Sequence, residues 1–202
     1  MQPNESAPVA AVVLAAGSSS RMGQNKLLLD LGGEALVRRA VRAAMEAGLE
    51  PVIVVLGHEA SRVQAAIGDL PCRPVINKTY ADGVGTSLKA GVAAVPSEVH
   101  ALVVILADMP FVSKAMIGAV VQRYRTTGAH LVVSSYGEVD APPILYDRTL
   151  FAELLSDTGE RCGKRVVRRH RSEAEVIACN EAALRDVDVP EDYEHARARV
   201  VG

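Results

Sequence analysis

The chain is poor in cysteine, has no surplus of charge of one sign, and carries no hydrophobic run long enough to cross a bilayer. Its three cysteines, Cys72, Cys162 and Cys179, are odd in number and widely spaced, with no C-x-x-C pair. That argues against a disulfide framework or a zinc site and fits a reducing cytoplasm. Lys and Arg number 22 against 24 Asp and Glu, a net charge of −2. No general electrostatic pull therefore draws the chain to nucleic acid, and a small phosphorylated ligand would be held by a few local cations and backbone N–H groups. No apolar stretch reaches the roughly 18 residues of a membrane span, and Met1 to Pro8 lacks the basic and apolar regions of a secretion signal. The expectation is a soluble, cytoplasmic protein with neither nucleic acid nor membrane as partner. His58, His100, His130, His170 and His195 are scattered without ligand spacing. No Cys–His nucleophile is supported, and the serines lack a G-x-S-x-G elbow.

What is present is a strand–helix rhythm. The 202 residues, 49% hydrophobic and 23% charged, match ordinary globular usage for a single domain spanning 1–202. Val9 to Leu14, Val52 to Leu56, Val75–Ile76, Ala101 to Leu106 and His130 to Ser134 read as strands, the first a continuous apolar run suited to a sheet covered on both faces. Glu34 to Ala47, with Leu36, Val37, Ala40, Val41, Ala44 and Met45 on one stripe, reads as a helix stopped at Gly48. Ala60 to Ile67 and Ser87 to Val95 read as further helices, and Ser113 as the N-cap of one that Gly128 closes. After residue 135 the pattern is weaker. Ile144 to Tyr146 predicts a strand, Thr149 to Leu155 and Lys164 to Arg171 helices, Glu175 to Ala178 and Asp186 to Val189 strands, and Glu191 to Val200 a closing helix after Pro190. The fold class expected is α/β, a mostly parallel sheet with helices on both faces, without repeats or linkers.

Five segments carry candidate chemistry. The turn after the first strand, Ala15-Ala16-Gly17-Ser18-Ser19-Ser20-Arg21-Met22-Gly23-Gln24-Asn25-Lys26, can aim backbone N–H groups at an anion, with Arg21 and Lys26 adding full charges. It is neither a P-loop, which needs lysine directly after the second glycine, nor G-x-G-x-x-G; an ordinary strand-to-helix turn with solvated cations is the other reading. Asp108, just past an apolar strand, lies at the same sheet edge, where a carboxylate can hold a hard cation against phosphates or can simply form a turn before Pro110. Asp82-Gly83-Val84-Gly85-Thr86-Ser87 offers exposed backbone to a base or ribose, or a plain helix cap at Thr86 or Ser87. Asp186 and Asp188 would share one face of a strand with Val187 and Val189 buried, as metal ligands or as a solvated edge. Arg161, Lys164, Arg165, Arg168, Arg169 and Arg171 would receive an anionic acceptor or an acidic partner, or form a solvated helix face.

Together these segments resemble the MobA-like nucleotidyltransferases, and within them the molybdenum cofactor cytidylyltransferase branch. The opening signature L-A-(A/G)-G-x-S-x-R-M-G-x-x-K is matched from Leu14 to Lys26. Asn77 with Gly83-Val84-Gly85-Thr86-Ser87-Leu88 resembles the second signature, Asp108-Met109-Pro110 the third, and Asp188-Val189-Pro190-Glu191-Asp192 the ending. The resemblance implies a Rossmann-like nucleotide-diphospho-sugar transferase sheet. It implies a nucleotide-binding half over about 9–115 and an acceptor-binding half over about 116–202. The implied reaction moves a nucleoside monophosphate from CTP or GTP to a phosphorylated pterin, molybdopterin or its metal-loaded form, with Mg²⁺ as cofactor and pyrophosphate released. A molybdenum hydroxylase apoenzyme is a possible further partner. By resemblance, Leu14, Ala15, Ala16, Gly17 and Ser18 hold base and phosphates with Asn77, Gly85 and Ser87. Arg21 and Lys26 neutralise the triphosphate, Asp108 is the magnesium ligand and Asp188 a second metal carboxylate. Ala16 replaces a glycine common in guanylyltransferases, which favours CTP. Asp140-Ala141-Pro142-Pro143 stands where relatives carry R-G-H-P and matches only at Pro143, so the acceptor side departs from the pattern.

Overall fold

Every residue from Val9 to Ala15 is buried, which a strand tolerates when both faces of its sheet are covered. The computed structural model describes residues 8–19, 22–157 and 163–201. In it this strand (β1, Val9–Ala15) joins β2 (Val52–Leu56), β3 (Arg73–Ile76), β4 (Ala101–Leu106), β5 (Leu131–Tyr136), β6 (Val139–Asp147) and β7 (Glu175–Ala178). They form one seven-stranded sheet in the order β3-β2-β1-β4-β6-β5-β7. All strands run parallel except β6, which is antiparallel to both β4 and β5.

The two-residue period of β1 sorts its side chains into two cores. Ala11, Val13 and Ala15 pack with α1 (Leu36–Glu46), α2 (Ala60–Ile67) and α4 (Lys114–Thr127) on one face. Ala10, Val12 and Leu14 pack with α3 (Val84–Ala93), α5 (Phe151–Ser156) and α6 (Lys164–His170) on the other. The expected α/β fold is therefore observed. A third, smaller cluster joins Met22, Leu31 and Leu36 to Val187 and Ala196, the last from α7 (Pro190–Val201). Met22 belongs to the glycine-rich turn, and Val187 lies between Asp186 and Asp188. Apolar burial thus helps draw the end of the chain onto the turn near its beginning.

Several predicted boundaries hold. Ser113 Oγ accepts from the Met116 N–H at 3.3 Å and Gly128 closes α4. Others move for identifiable reasons. The helix expected from Ser87 starts at Val84, because Gly83 (φ 112°, ψ 163°) takes the cap position in a backbone conformation that other residues resist. Thr86 and Ser87 therefore cap nothing and lie in the first turn. Glu34 stays outside α1 and binds Arg42 at 2.7 Å instead. The segment from Asp186 to Val189 forms no strand. It is a loop tied to the end of β4 by the bond from Val187 N–H to the Asp108 carbonyl at 3.0 Å.

The strand expected at Ile144 to Tyr146 is the end of the longer β6, which runs through the two prolines. Proline cannot donate to a ladder, and the β5–β6 register shifts between Val133 and Ser134. Side chains substitute there: Ser134 Oγ donates to the Pro143 carbonyl and the Tyr136 hydroxyl to that of Pro142, each at 2.7 Å. Among the described residues no helix is long and apolar enough to cross a membrane.

Candidate active site

The carboxyl ends of β1, β2 and β4 are tied together before any functional group is placed. The Leu14 carbonyl accepts from Ala107 N–H at 3.1 Å and the Ala16 carbonyl from His58 N–H at 3.2 Å. Leu14, Ala15 and Ala16 are buried, whereas Gly17 and Ser18 are exposed. A methyl built on Gly17 meets nothing within 4 Å, so this part of the turn faces open space.

Ser19 then reverses the chain at φ 51°, a left-handed conformation uncommon outside glycine. Its carbonyl accepts from Met22 N–H at 2.9 Å and its hydroxyl from Lys26 N–H at 3.1 Å. Asn25 accepts from Leu27 N–H at 3.1 Å, starting a short 3-10 turn over Lys26–Leu28. These bonds fix the backbone from which Lys26 projects inward. Ser19 was not among the residues singled out from the sequence, although it occupies the serine of the opening signature. Arg21, the other expected cation, lies outside the described residues.

The Lys26 ammonium lies 2.7 Å from Asp108 Oδ2 and 2.7 Å from Asp188 Oδ1, with its side chain only 10% exposed. Burial opposes its charge, but the attraction and hydrogen bonding of Asp108, then of Asp188, outweigh that and hold its pKa above the ordinary lysine value. Asp108 therefore turns to Lys26 across the sheet edge. Asp188 arrives from 162 positions away in sequence. It is held by Val187 under Met22, and by Asp192, whose carboxylate accepts from the N–H groups of Asp188 and Val189 at 3.0 and 2.9 Å.

Asp186 joins them. One carboxylate oxygen from each of Asp108, Asp186 and Asp188 lies within 4.8 Å of the others. The Asp186 residue is exposed overall, yet its carboxyl is held above the usual carboxylate range, first by desolvation and then by repulsion from Asp188 and Asp108. Three carboxylates face one ammonium. That excess of hard oxygen donors fits a divalent cation such as Mg²⁺ or Mn²⁺. Sequence reasoning left Asp186 and Asp188 as alternatives; the loop that replaces the expected strand brings both to the same point.

The second glycine-containing segment has a different part. Asn77 is buried, and its amide is used internally. It donates to Thr86 Oγ1 at 2.9 Å and Ser87 Oγ at 3.0 Å, and accepts from Thr79 N–H at 3.0 Å. It binds the end of β3 to the first turn of α3, leaving Gly85 half-buried at the helix start. Nearby, Ala16 packs over Gly57. A methyl built on Gly57 would stand 2.8 Å from the Ala16 methyl and 2.7 Å from Tyr80 Cβ. Ala16, Gly57 and Tyr80 are one packed unit at the mouth of β1 and β2.

The basic segment is largely neutralised. Arg165 pairs with Asp157 at 3.5 Å, Arg169 and His170 both meet Glu153, and Arg171 binds Asp140 at 2.6 Å. Arg161 lies outside the described residues. These side chains tie α6 to α5 and to β6, so most of the cluster serves packing between elements.

The arrangement can hold a polyphosphate between an exposed glycine–serine backbone, a lysine and an acid cluster, and among the described residues it shows no nucleophile paired with a general base. Comparison with known proteins agrees. The family model for the MobA-like NTP transferase domain matches residues 11–174, a span that includes Lys26 and Asp108 and stops short of Asp186 and Asp188. A nicotine blue oxidoreductase from Paenarthrobacter nicotinovorans is 32% identical over 193 residues, covering 91% of this chain and 93% of its own. A probable molybdenum cofactor guanylyltransferase from Opitutus terrae is 38% identical over 118 residues, 58% of this chain and 56% of its own. Among solved structures, Rv0371c from Mycobacterium tuberculosis H37Rv in complex with manganese is 26% identical with a TM-score of 0.80, covering 96% of this chain and 100% of that one. With the signature turn, the strand order and the matched span in agreement, the chain belongs to the MobA-like NTP transferase family and is a nucleotidyltransferase.

Proposed function

We propose that the chain transfers CMP from CTP to molybdopterin, or to its metal-loaded form, with Mg²⁺ and release of pyrophosphate. The observation that carries this reading is the meeting of Lys26, Asp108, Asp186 and Asp188 within hydrogen-bonding reach of one point beside the glycine-rich turn. A divalent cation held by those carboxylates would supply Lewis acidity and a bridge between carboxylate and phosphate oxygens.

The residues of the chain do the rest. Displacement at the α-phosphorus spreads negative charge while the attacking and leaving oxygens stay in line. Preorganised cations and N–H dipoles stabilise that charge without covalent catalysis. The exposed Gly17 and Ser18 backbone receives phosphate oxygens, and Lys26 and Arg21 offset their charge. The attacking atom is a phosphate oxygen of the acceptor, largely ionised near neutral pH because a monoester's second pKa is about 6. No side-chain base is needed to generate it. Asn77, Thr86 and Ser87 act by holding the start of α3 where the ribose and base would lie.

The packed unit of Ala16, Gly57 and Tyr80 supports the cytidine preference. The Ala16 methyl is buried against Gly57 at the end of β1, and it stands where guanylyltransferases commonly carry a glycine. The name of the Opitutus terrae relative supports a pterin acceptor, and the division into a nucleotide-binding half and an acceptor-binding half is part of the same reading. Asp186 and Asp188 would cross from the second half to complete the first.

Purified protein incubated with Mg²⁺, each NTP in turn and candidate acceptors, with pyrophosphate release and dinucleotide product measured, tests the proposal. The expected result is release with CTP and molybdopterin in preference to GTP. Release only with a sugar phosphate, a methylerythritol phosphate or a phospholactate would overturn the acceptor and leave the chemistry standing. Electron transfer without pyrophosphate release would instead place the activity beside that named for the Paenarthrobacter nicotinovorans relative.

A further inference from the structure

The cation in the acid cluster of this structure is the protein's own. Lys26 Nζ stands 2.7 Å from an oxygen of Asp108 and 2.7 Å from an oxygen of Asp188, the two nearest members of the three-carboxylate group. A divalent ion coordinates carboxylate oxygen at roughly 2.0–2.6 Å. An ion bound to those two oxygens would crowd an ammonium that remained on them, with like charges and no water between. The two cations therefore compete for one seat.

The backbone of Lys26 is pinned by Ser19 Oγ and by the 3-10 turn, while its four-carbon stem leaves the ammonium free to swing about that fixed point. The glycine-rich turn that pins it is the same turn that opens toward phosphate. Displaced from the carboxylates, the ammonium gains a multiply charged anionic partner when a polyphosphate lies in that turn.

Resting on the metal-dependent reading above, we propose that Lys26 is a resident counter-ion that blocks the acid cluster against free divalent metal and yields it when nucleotide phosphate arrives. Metal and nucleotide then load as a coupled pair. The free enzyme keeps Asp108 and Asp188 paired with an ammonium, and the ion enters at the moment it has a phosphate to bridge. Coupling of this kind is reciprocal: whatever draws Lys26 away raises metal affinity by the same factor that metal raises affinity for it.

The test is Mn²⁺ binding to nucleotide-free protein, read by the electron paramagnetic resonance signal of the unbound ion, for wild type and Lys26→Met. The lock requires Lys26→Met to bind Mn²⁺ about tenfold or more tightly than wild type, within the roughly 5–150-fold range of typical couplings. Lys26→Gln serves as a second neutral variant, and circular dichroism checks that each is folded. Asp108→Asn in the Lys26→Met background should abolish the gain, assigning it to this cluster. Equal or weaker Mn²⁺ binding by folded Lys26→Met and Lys26→Gln overturns the lock while leaving the metal site intact. Absence of binding in every variant, with CTP present as well as absent, removes the metal site and the lock with it.

Discussion

Gly91 lies in the last turn of α3, against β1. A methyl built on it overlaps Val12 Cγ1 and comes within 3.1 Å of Val55 Cγ2. Val12 is fully buried in a strand paired on both sides, with β2 and with β4, and a β-branched side chain has little rotamer freedom with which to step aside. In Gly91→Ala, therefore, the helix must lift from the sheet. Overpacking a buried site costs about 1–3 kcal/mol, and the stiffness of Val12 places this case in the upper part of that range. Alanine recovers about 1 kcal/mol through its better helix propensity, which leaves a net loss of about 1–2 kcal/mol. At about 2–4 °C per kcal/mol for a chain of this size, the melting temperature should fall by about 2–8 °C. The displacement has a functional reading too, because α3 carries Gly85 and Ser87 at its other end. KM for nucleotide should rise more than kcat falls. Urea and thermal unfolding give the first quantity and steady-state pyrophosphate release the second. A Gly91→Ala protein as stable as wild type, or more so, would show that propensity outweighs packing here and refute the reasoning.

Asp108→Asn keeps the shape of the site and removes one charge, and pyrophosphate-release assays should show kcat lowered by about 10²–10³ with the circular dichroism spectrum unchanged. Asp186→Asn removes a carboxylate repelled by its two neighbours; calorimetry should show the metal-free protein more heat-stable, while Mn²⁺ titration shows weaker binding. Ala16→Gly removes the methyl that sets this turn apart from the guanylyltransferase pattern, and the ratio of kcat/KM for CTP over GTP should drop by about tenfold, the scale of one methyl group in a pocket. Asp147 is opposed by burial, but hydrogen bonds from Thr149 and Tyr124 bring its carboxyl below the ordinary range. Its contribution to stability is therefore present above the unfolded-state value of about 3.9 and is lost as pH falls through the lower folded-state value; Asp147→Asn should flatten that acid limb in urea midpoints measured against pH.

The first half of the molecule was legible because its signals are local. An unbroken apolar run such as Val9 to Leu14 is a strand buried on both faces wherever it sits, and the stripe of Leu36, Val37, Ala40 and Val41 is a helix on its own evidence. The signature from Leu14 to Lys26 is likewise local, and its resemblance to the family's opening motif is what singles out the turn. The second half was legible only in part. The prolines of β6 argue against a strand from composition, and it forms because Ser134 and Tyr136 supply the hydrogen bonds that the ladder lacks. The alternation from Asp186 to Val189 imitates a strand, yet the segment is a loop whose Val187 is buried in a cluster with Met22, Leu31, Leu36 and Ala196.

The sequence by itself determined the fold class through local patterning, and through its family resemblance it pointed to the turn and to Lys26, Asp108 and Asp188 as the residues to watch. Only the tertiary structure decided that these three touch, that Asp186 stands with them, and that Lys26 occupies the cluster instead of reaching into open solvent. It also decided that Asn77 spends its amide on Thr86 and Ser87. The physical reason is the same in each case. Whether a lysine meets a phosphate or a carboxylate depends on what burial has brought within 3 Å of it, and here an apolar cluster that joins residues 22, 31 and 36 to 187 and 196 helps set it, which no local pattern encodes.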